Sequence, residues 1–80
     1  MTREEILNKL ATIVDAQLAC GKENVTEDAT FESLGADSLD NVIFIMAIEV
    51  EFEIDINDKQ AETIKTVNQA VDHILSELSN

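Results

Sequence analysis

Gly35-Ala36-Asp37-Ser38-Leu39-Asp40 leads into Asn41-Val42-Ile43-Phe44-Ile45-Met46-Ala47-Ile48-Glu49-Val50-Glu51-Phe52, and this junction decides how the chain is read. A glycine-bearing approach gives way to an apolar-rich stretch, predicted as a helix over Leu39 to Phe52 and running to about Glu53, with Ser38 at its N-terminus. Backbone N–H groups there lack intrahelical acceptors, and the helix dipole favours negative charge. A phosphodiester on Ser38 would therefore be tolerated electrostatically. The plainer reading makes Ser38 the N-cap, a position that Ser and Asp commonly fill.

At 100° per residue this helix has two apolar faces. Phe44, Ile45, Ile48 and Phe52 lie on one side, and Leu39, Val42, Ile43, Met46 and Val50 on nearly the opposite side. Both cannot face one core. The stripe with the two phenylalanines is the better core candidate, which leaves the Leu39 stripe exposed, beginning beside Ser38 and flanked by Asp37, Asp40 and Glu49. An apolar centre with an acidic rim has the make-up of a docking surface. The alternatives are that a loop covers the second stripe, or that two copies pair through it.

Upstream, Thr2 and Glu5 have capping-box spacing, and Ile6, Leu7, Leu10, Ile13, Val14, Gln17 and Leu18 follow one helical face, ending near Ala19 to Gly21. The long stretch to Asp37 has three scattered anchors, Val25, Phe31 and Leu34, and is expected to be a packed crossover with Phe31 as its main plug. Downstream, Val50 to Asn57 alternates apolar and polar residues in the manner of a strand. No second strand-like run exists to pair with it, so Ile54 and Ile56 are expected to pack inward from a short connection. Asn57 or Asp58 would then cap a brief helix that includes Ala61 and Ile64. Thr66 and Gln69 repeat the capping-box spacing ahead of Val67, Ala70, Val71, Ile74, Leu75 and Leu78. The predicted fold is all-α: a small four-helix bundle, three longer helices and one short, with a long loop between the first and second helices.

Eighty residues suit one domain, 1–80, in which about 60 to 65 per cent of the unfolded chain's surface can be buried. That leaves little room for an enclosed active site. Seventeen acidic residues against five basic ones give a net charge of −12, which argues against nucleic acid and anionic membranes and for partners that present positive charge. The charged N-terminus and the absence of a long apolar run predict no membrane insertion, and a lone Cys20 suits a reducing compartment; a cytoplasmic monomer is expected. No metal site is expected. The closest approach to a calcium loop, from Asp55, has Lys59 at a ligand position and Gln60 where a glycine belongs. The only histidine, His73, is read as a solvated residue opposite the apolar stripe of the last helix, and no general base for Ser38 is evident.

Gly35 to Asp40, continued by Met46-Ala47-Ile48-Glu49 and Glu51-Phe52, resembles the acyl carrier proteins of bacterial fatty acid and polyketide synthesis. The resemblance covers nearly the whole chain. It implies that Ser38 carries 4'-phosphopantetheine, transferred from coenzyme A by a phosphopantetheinyl transferase, and that the chain is not itself an enzyme. It also implies that acyl groups ride on the arm as thioesters, for use by acyl-transferring and acyl-modifying enzymes with basic docking patches. Asp37, Leu39, Asp40, Val42, Met46 and Glu49 match the family's docking pattern. Ile43 and Val50 depart from it, standing where housekeeping members usually carry acids, which implies a specialised carrier with a more apolar interface. Phe31-Glu32-Ser33-Leu34 is one residue shorter than the usual family spacing. Family members can also shelter the acyl chain between helices, and Ile45, Ile48, Ile56, Ala61 and Ile64 are the matching residues, equally readable as ordinary core. The competing readings are an aminoacyl or peptidyl carrier, which typically surrounds its serine differently, and an acidic helical interaction module without a prosthetic group.

Overall fold

A computed structural model describes residues 1–79. Its elements are α1 (Arg3–Leu18), a single 3₁₀ turn (Lys22–Asn24), α2 (Ser38–Phe52), α3 (Asp58–Thr63) and α4 (Val67–Ser79). The four predicted helices are all present. The described residues contain no strand; the only β-type pairing among them is an isolated bridge between Thr30 and Thr66.

Local chemistry sets the helix starts. Thr2 accepts the Glu5 N–H while the Glu5 carboxylate accepts the Thr2 N–H, so two N–H groups that α1 cannot satisfy find partners. Asn57 with Gln60, and Thr66 with Gln69, repeat this reciprocal pair at α3 and α4. The exit of α1 lies where expected, with Ala19 as a left-handed C-cap (φ 52°) and Gly21 following at φ 90°. Asp15 compensates from inside the helix: its backbone carbonyl accepts the Ala19 N–H and its side chain accepts the Gly21 N–H. α2 stops the same way, with Glu53 at φ 55°, and the alternating residues after it form a connection, not a strand.

The core collects Ile6, Leu10 and Val14 from α1, Phe44, Ile48 and Phe52 from α2, and Val67, Val71 and Ile74 from α4. Phe31 closes it from the crossover, its ring centroid 5.5 Å from that of Phe44. Val25 is buried and Leu34 half-buried, so the three expected anchors hold residues 19–37 down. Ile56 is buried and Ile54 half-buried, as expected. The crossover is also stitched to the α3–α4 connection, because the Phe31 N–H donates to the Lys65 carbonyl and the Val67 N–H to that of Ala29. Arg3 joins three regions, bonding Glu27 of the crossover and Asn68 and Asp72 of α4.

His73 departs from its sequence reading. Its side chain is 17 % exposed, its Nε2 is enclosed, and the Glu77 carboxylate stands 3.7 Å away. Burial on α4 extends past its apolar face: His73 stands one turn after the fully covered Ala70, at the edge of that face.

Candidate functional site

The N-terminus of α2 carries a short division of labour. Asp37 is the N-cap: its carboxylate accepts the Asp40 N–H at 2.9 Å, and the Asp40 carboxylate accepts the Asp37 N–H at 3.1 Å. Ser38 is therefore the first residue inside the helix, and the reading of Ser38 as N-cap is overturned. Its exposed hydroxyl makes no hydrogen bond with any described residue. The first intrahelical bond runs from the Asn41 N–H to the Asp37 carbonyl, so the N–H groups of Ser38 and Leu39 precede the ladder and retain donor capacity. A free hydroxyl beside two free N–H donors at the positive end of a helix fits an attached anion.

Asp40 is held in place from a second direction. Gln17 of α1 donates to its carboxylate at 3.0 Å. That bond first, and the capping N–H of Asp37 next, lower the Asp40 pKa below its ordinary 3.8. Glu49, read from sequence as part of the acidic rim, also has a structural duty. Its carboxylate accepts the Ile56 N–H at 2.9 Å and so anchors the turn between α2 and α3.

Beside Ser38 opens a cavity of about 500 Å³. Its exposed lining includes Glu32, Ser38, Asn41, Val42, Glu62 and Lys65, and its buried lining includes Phe31, Phe44, Ile48 and Ile64. Four of the five residues matched to acyl shelter, Ile45, Ile48, Ala61 and Ile64, line this one space. Ile56 does not. It sits on the α2–α3 connection held by Glu49, at the far end of α2 from Ser38. Phe31, Phe44, Asn41 and Lys65 join the lining without having been singled out for it. No sequence period could have found them, because crossover, helix and connection meet there only in three dimensions.

The outward face of α2 is open. Leu39, Val42, Met46 and Val50 are 68, 56, 60 and 80 % exposed, and Ile43 is 37 % exposed, so the crossover does not cover this stripe. Leu39, Ile43, Met46 and Val50 follow one another at intervals of four, three and four residues, the spacing of a seam that meets another helix. Ile43 is the most covered because it leans towards α1, where it edges a smaller groove of about 260 Å³ with Ile13, Ala16 and Gln17. Asn57, where the calcium-loop reading would need a ligand, spends its side chain capping α3.

Residues 8–74 match the protein family described as "Phosphopantetheine attachment site". The chain is 51 % identical over 81 residues to the acyl carrier protein of Cyanidium caldarium, covering all of this chain and 94 % of that one. It is 48 % identical over 75 residues to that of Thermosynechococcus vestitus, covering 92 % and 93 %. Among solved structures, the acyl carrier protein of Enterococcus faecalis superposes with a TM-score of 0.81 at 40 % identity, over 96 % of this chain and 99 % of that one. That of Thermotoga maritima gives 0.85 at 30 % identity, over 96 % and 91 %.

Proposed function

The chain belongs to the phosphopantetheine-attachment family as an acyl carrier protein, and from that premise we propose that Ser38 is the residue to which its 4'-phosphopantetheine is joined. The family consists of carriers, not enzymes, and its members work with a phosphopantetheinyl transferase and with acyl-handling enzymes. When bound, the arm supplies a terminal thiol that holds acyl groups as thioesters. The observation that supports Ser38 is its release from capping: Asp37 and Asp40 form the cap between them and leave the Ser38 hydroxyl free. No described group accepts a hydrogen bond from the Ser38 hydroxyl, so we assign the base that deprotonates it during loading to the transferase.

In this reading residues 1–80 form one carrier domain that acts as a cytoplasmic monomer. Two copies of net charge −12 repel each other, which disfavours pairing through α2. Leu39, Val42, Ile43, Met46 and Val50 form the contact face for partner enzymes, with Asp37, Asp40 and Glu49 at its margin. Exposure of all five apolar residues supports this, since leaving them in water forgoes about 25 cal/mol per Å² that burial would return. Ile43 and Val50 make the face more apolar than acidic, and we assign to them the choice of a specialised set of partners. No described helix is long and apolar enough to cross a membrane.

Intact mass after incubation with coenzyme A and a promiscuous phosphopantetheinyl transferase tests Ser38. One phosphopantetheinyl group is expected on the wild type and none on Ser38→Ala. Absence from the wild type, with the transferase active on a control carrier, would overturn the assignment. Ile43→Glu with Val50→Glu tests the contact face: slower use by the cognate enzymes is expected, and unchanged loading and use would remove the specialised-partner reading.

A further inference from the structure

Lys65 is the one basic residue, among the described residues, that lines the cavity opening beside Ser38. Its backbone is fixed on both sides. The carbonyl accepts the Phe31 N–H at 3.2 Å, and the N–H donates to Gln69 Oε1 at 2.9 Å. The side chain is exposed and makes no ion pair with a described carboxylate, whereas Arg3 and Lys9 are committed to Glu27 and Asp72 and to Glu51. Glu32 and Glu62 share the lining, and Asp37 and Asp40 flank Ser38, so every other full charge near this opening is negative.

We propose that Lys65 is the built-in counter-charge for the phosphodiester on Ser38, holding the start of the arm over the cavity. This rests on the assignment of Ser38. A phosphodiester adds negative charge to a chain already at −12 and places it among carboxylates. The N–H groups of Ser38 and Leu39 offer only the partial positive charge of a helix end. Lysine suits the remaining need: a compact ammonium on a flexible four-carbon stem, with three donors that can follow a phosphate without a fixed fork geometry. The clamped backbone keeps that stem rooted at the opening. Lys65 is thus a positioning residue for the arm and is not needed to attach it.

The experiment compares apo and holo forms of the wild type, Lys65→Gln, Lys65→Arg and Lys59→Gln, which removes an equal charge from α3 outside the cavity lining. Intact mass reports loading, ³¹P NMR reports the environment of the phosphodiester, and thermal melting at low and high salt reports the charge pairing. Lys65→Gln is expected to load, to move the ³¹P resonance, and to lower the holo melting temperature by roughly 2–4 °C more than the apo one. That difference should shrink at high salt. Lys65→Arg should restore most of both effects, and Lys59→Gln should reproduce neither. Loading of all forms with identical ³¹P shifts and identical apo-to-holo changes would overturn the role of Lys65 and leave Ser38 standing. No mass gain on the wild type, with a control carrier loaded, would overturn both.

Discussion

The inward and outward faces of α2 are built from the same kinds of residue and do opposite work. Phe44, Ile48 and Phe52 are at most 5 % exposed, whereas Leu39, Met46 and Val50 are at least 60 % exposed on the same helix. Hydrophobicity alone therefore does not say where a side chain goes. An 80-residue bundle has one core, and the face with the larger rings fills it because Phe31 arrives to meet Phe44. The other face keeps its apolar area in water, a standing cost unless a partner covers it.

The largest effect that would break this contrast is expected from Phe44→Ala. Truncating a fully buried phenylalanine costs about 3–5 kcal/mol, against a total of roughly 4–12 kcal/mol for a chain this long. Val50→Ala should change stability by no more than about 0.5 kcal/mol. Urea denaturation followed by circular dichroism compares the two directly, and equal costs would mean that both faces are packed.

A second, smaller effect concerns where the two faces begin. Asp37→Ala removes the N-cap and is expected to cost about 1 kcal/mol. Ser38 would then be the nearest side chain able to cap, and a hydroxyl drawn into that bond should load more slowly with phosphopantetheine. Melting together with the initial rate of mass gain separates the two consequences. An unchanged loading rate would show that releasing Ser38 from the cap does not matter.

Acid should act on the molecule in two opposed ways. From neutral pH down towards the isoelectric point near 4.1, loss of negative charge relieves self-repulsion and stability should rise. Asp40 and Glu5 work against this trend at lower pH. Their folded pKa values lie below the ordinary 3.8 and 4.5, because they accept hydrogen bonds as carboxylates, Asp40 from Gln17 and then Asp37, Glu5 from Thr2. The stability they contribute is complete above those ordinary values and is lost as pH falls through the depressed ones. Thermal melts should pass through a maximum near pH 4 to 5 and then decline; a monotonic rise into strong acid would contradict the capping roles. The smallest effect is expected from Gln17→Ala, which should raise the Asp40 pKa towards its ordinary value in an NMR titration.

Much of the fold was legible in the chain because its signals are local. Thr2 with Glu5 and Thr66 with Gln69 announce helix starts within four residues, and the spacing of Val67, Ala70, Val71 and Ile74 announces a buried face. The serine was legible from the residues around it, but its freedom from capping was not. Asp37 and Asp40 have capping-box spacing with an acid at both ends, a signal that was present and read only as an acidic rim. The second role of Glu49 was not legible, since its bond to the Ile56 N–H forms only after the chain has turned at Glu53. His73 looked solvated on a helical wheel, which cannot show how far burial spreads beyond the apolar face to the position one turn after Ala70.

The sequence by itself determined the helices, their caps, the two apolar faces of α2, the acidity and the singular placement of Ser38, because each depends on residues within a turn or two of one another. Only the tertiary structure decided that Ile45, Ile48, Ala61 and Ile64 share one cavity while Ile56 lies elsewhere. It also decided that Lys65 and Ser38 line the same cavity. Those are relations between residues far apart in the chain, and they exist only once the crossover, α2 and the α3–α4 connection have packed against each other.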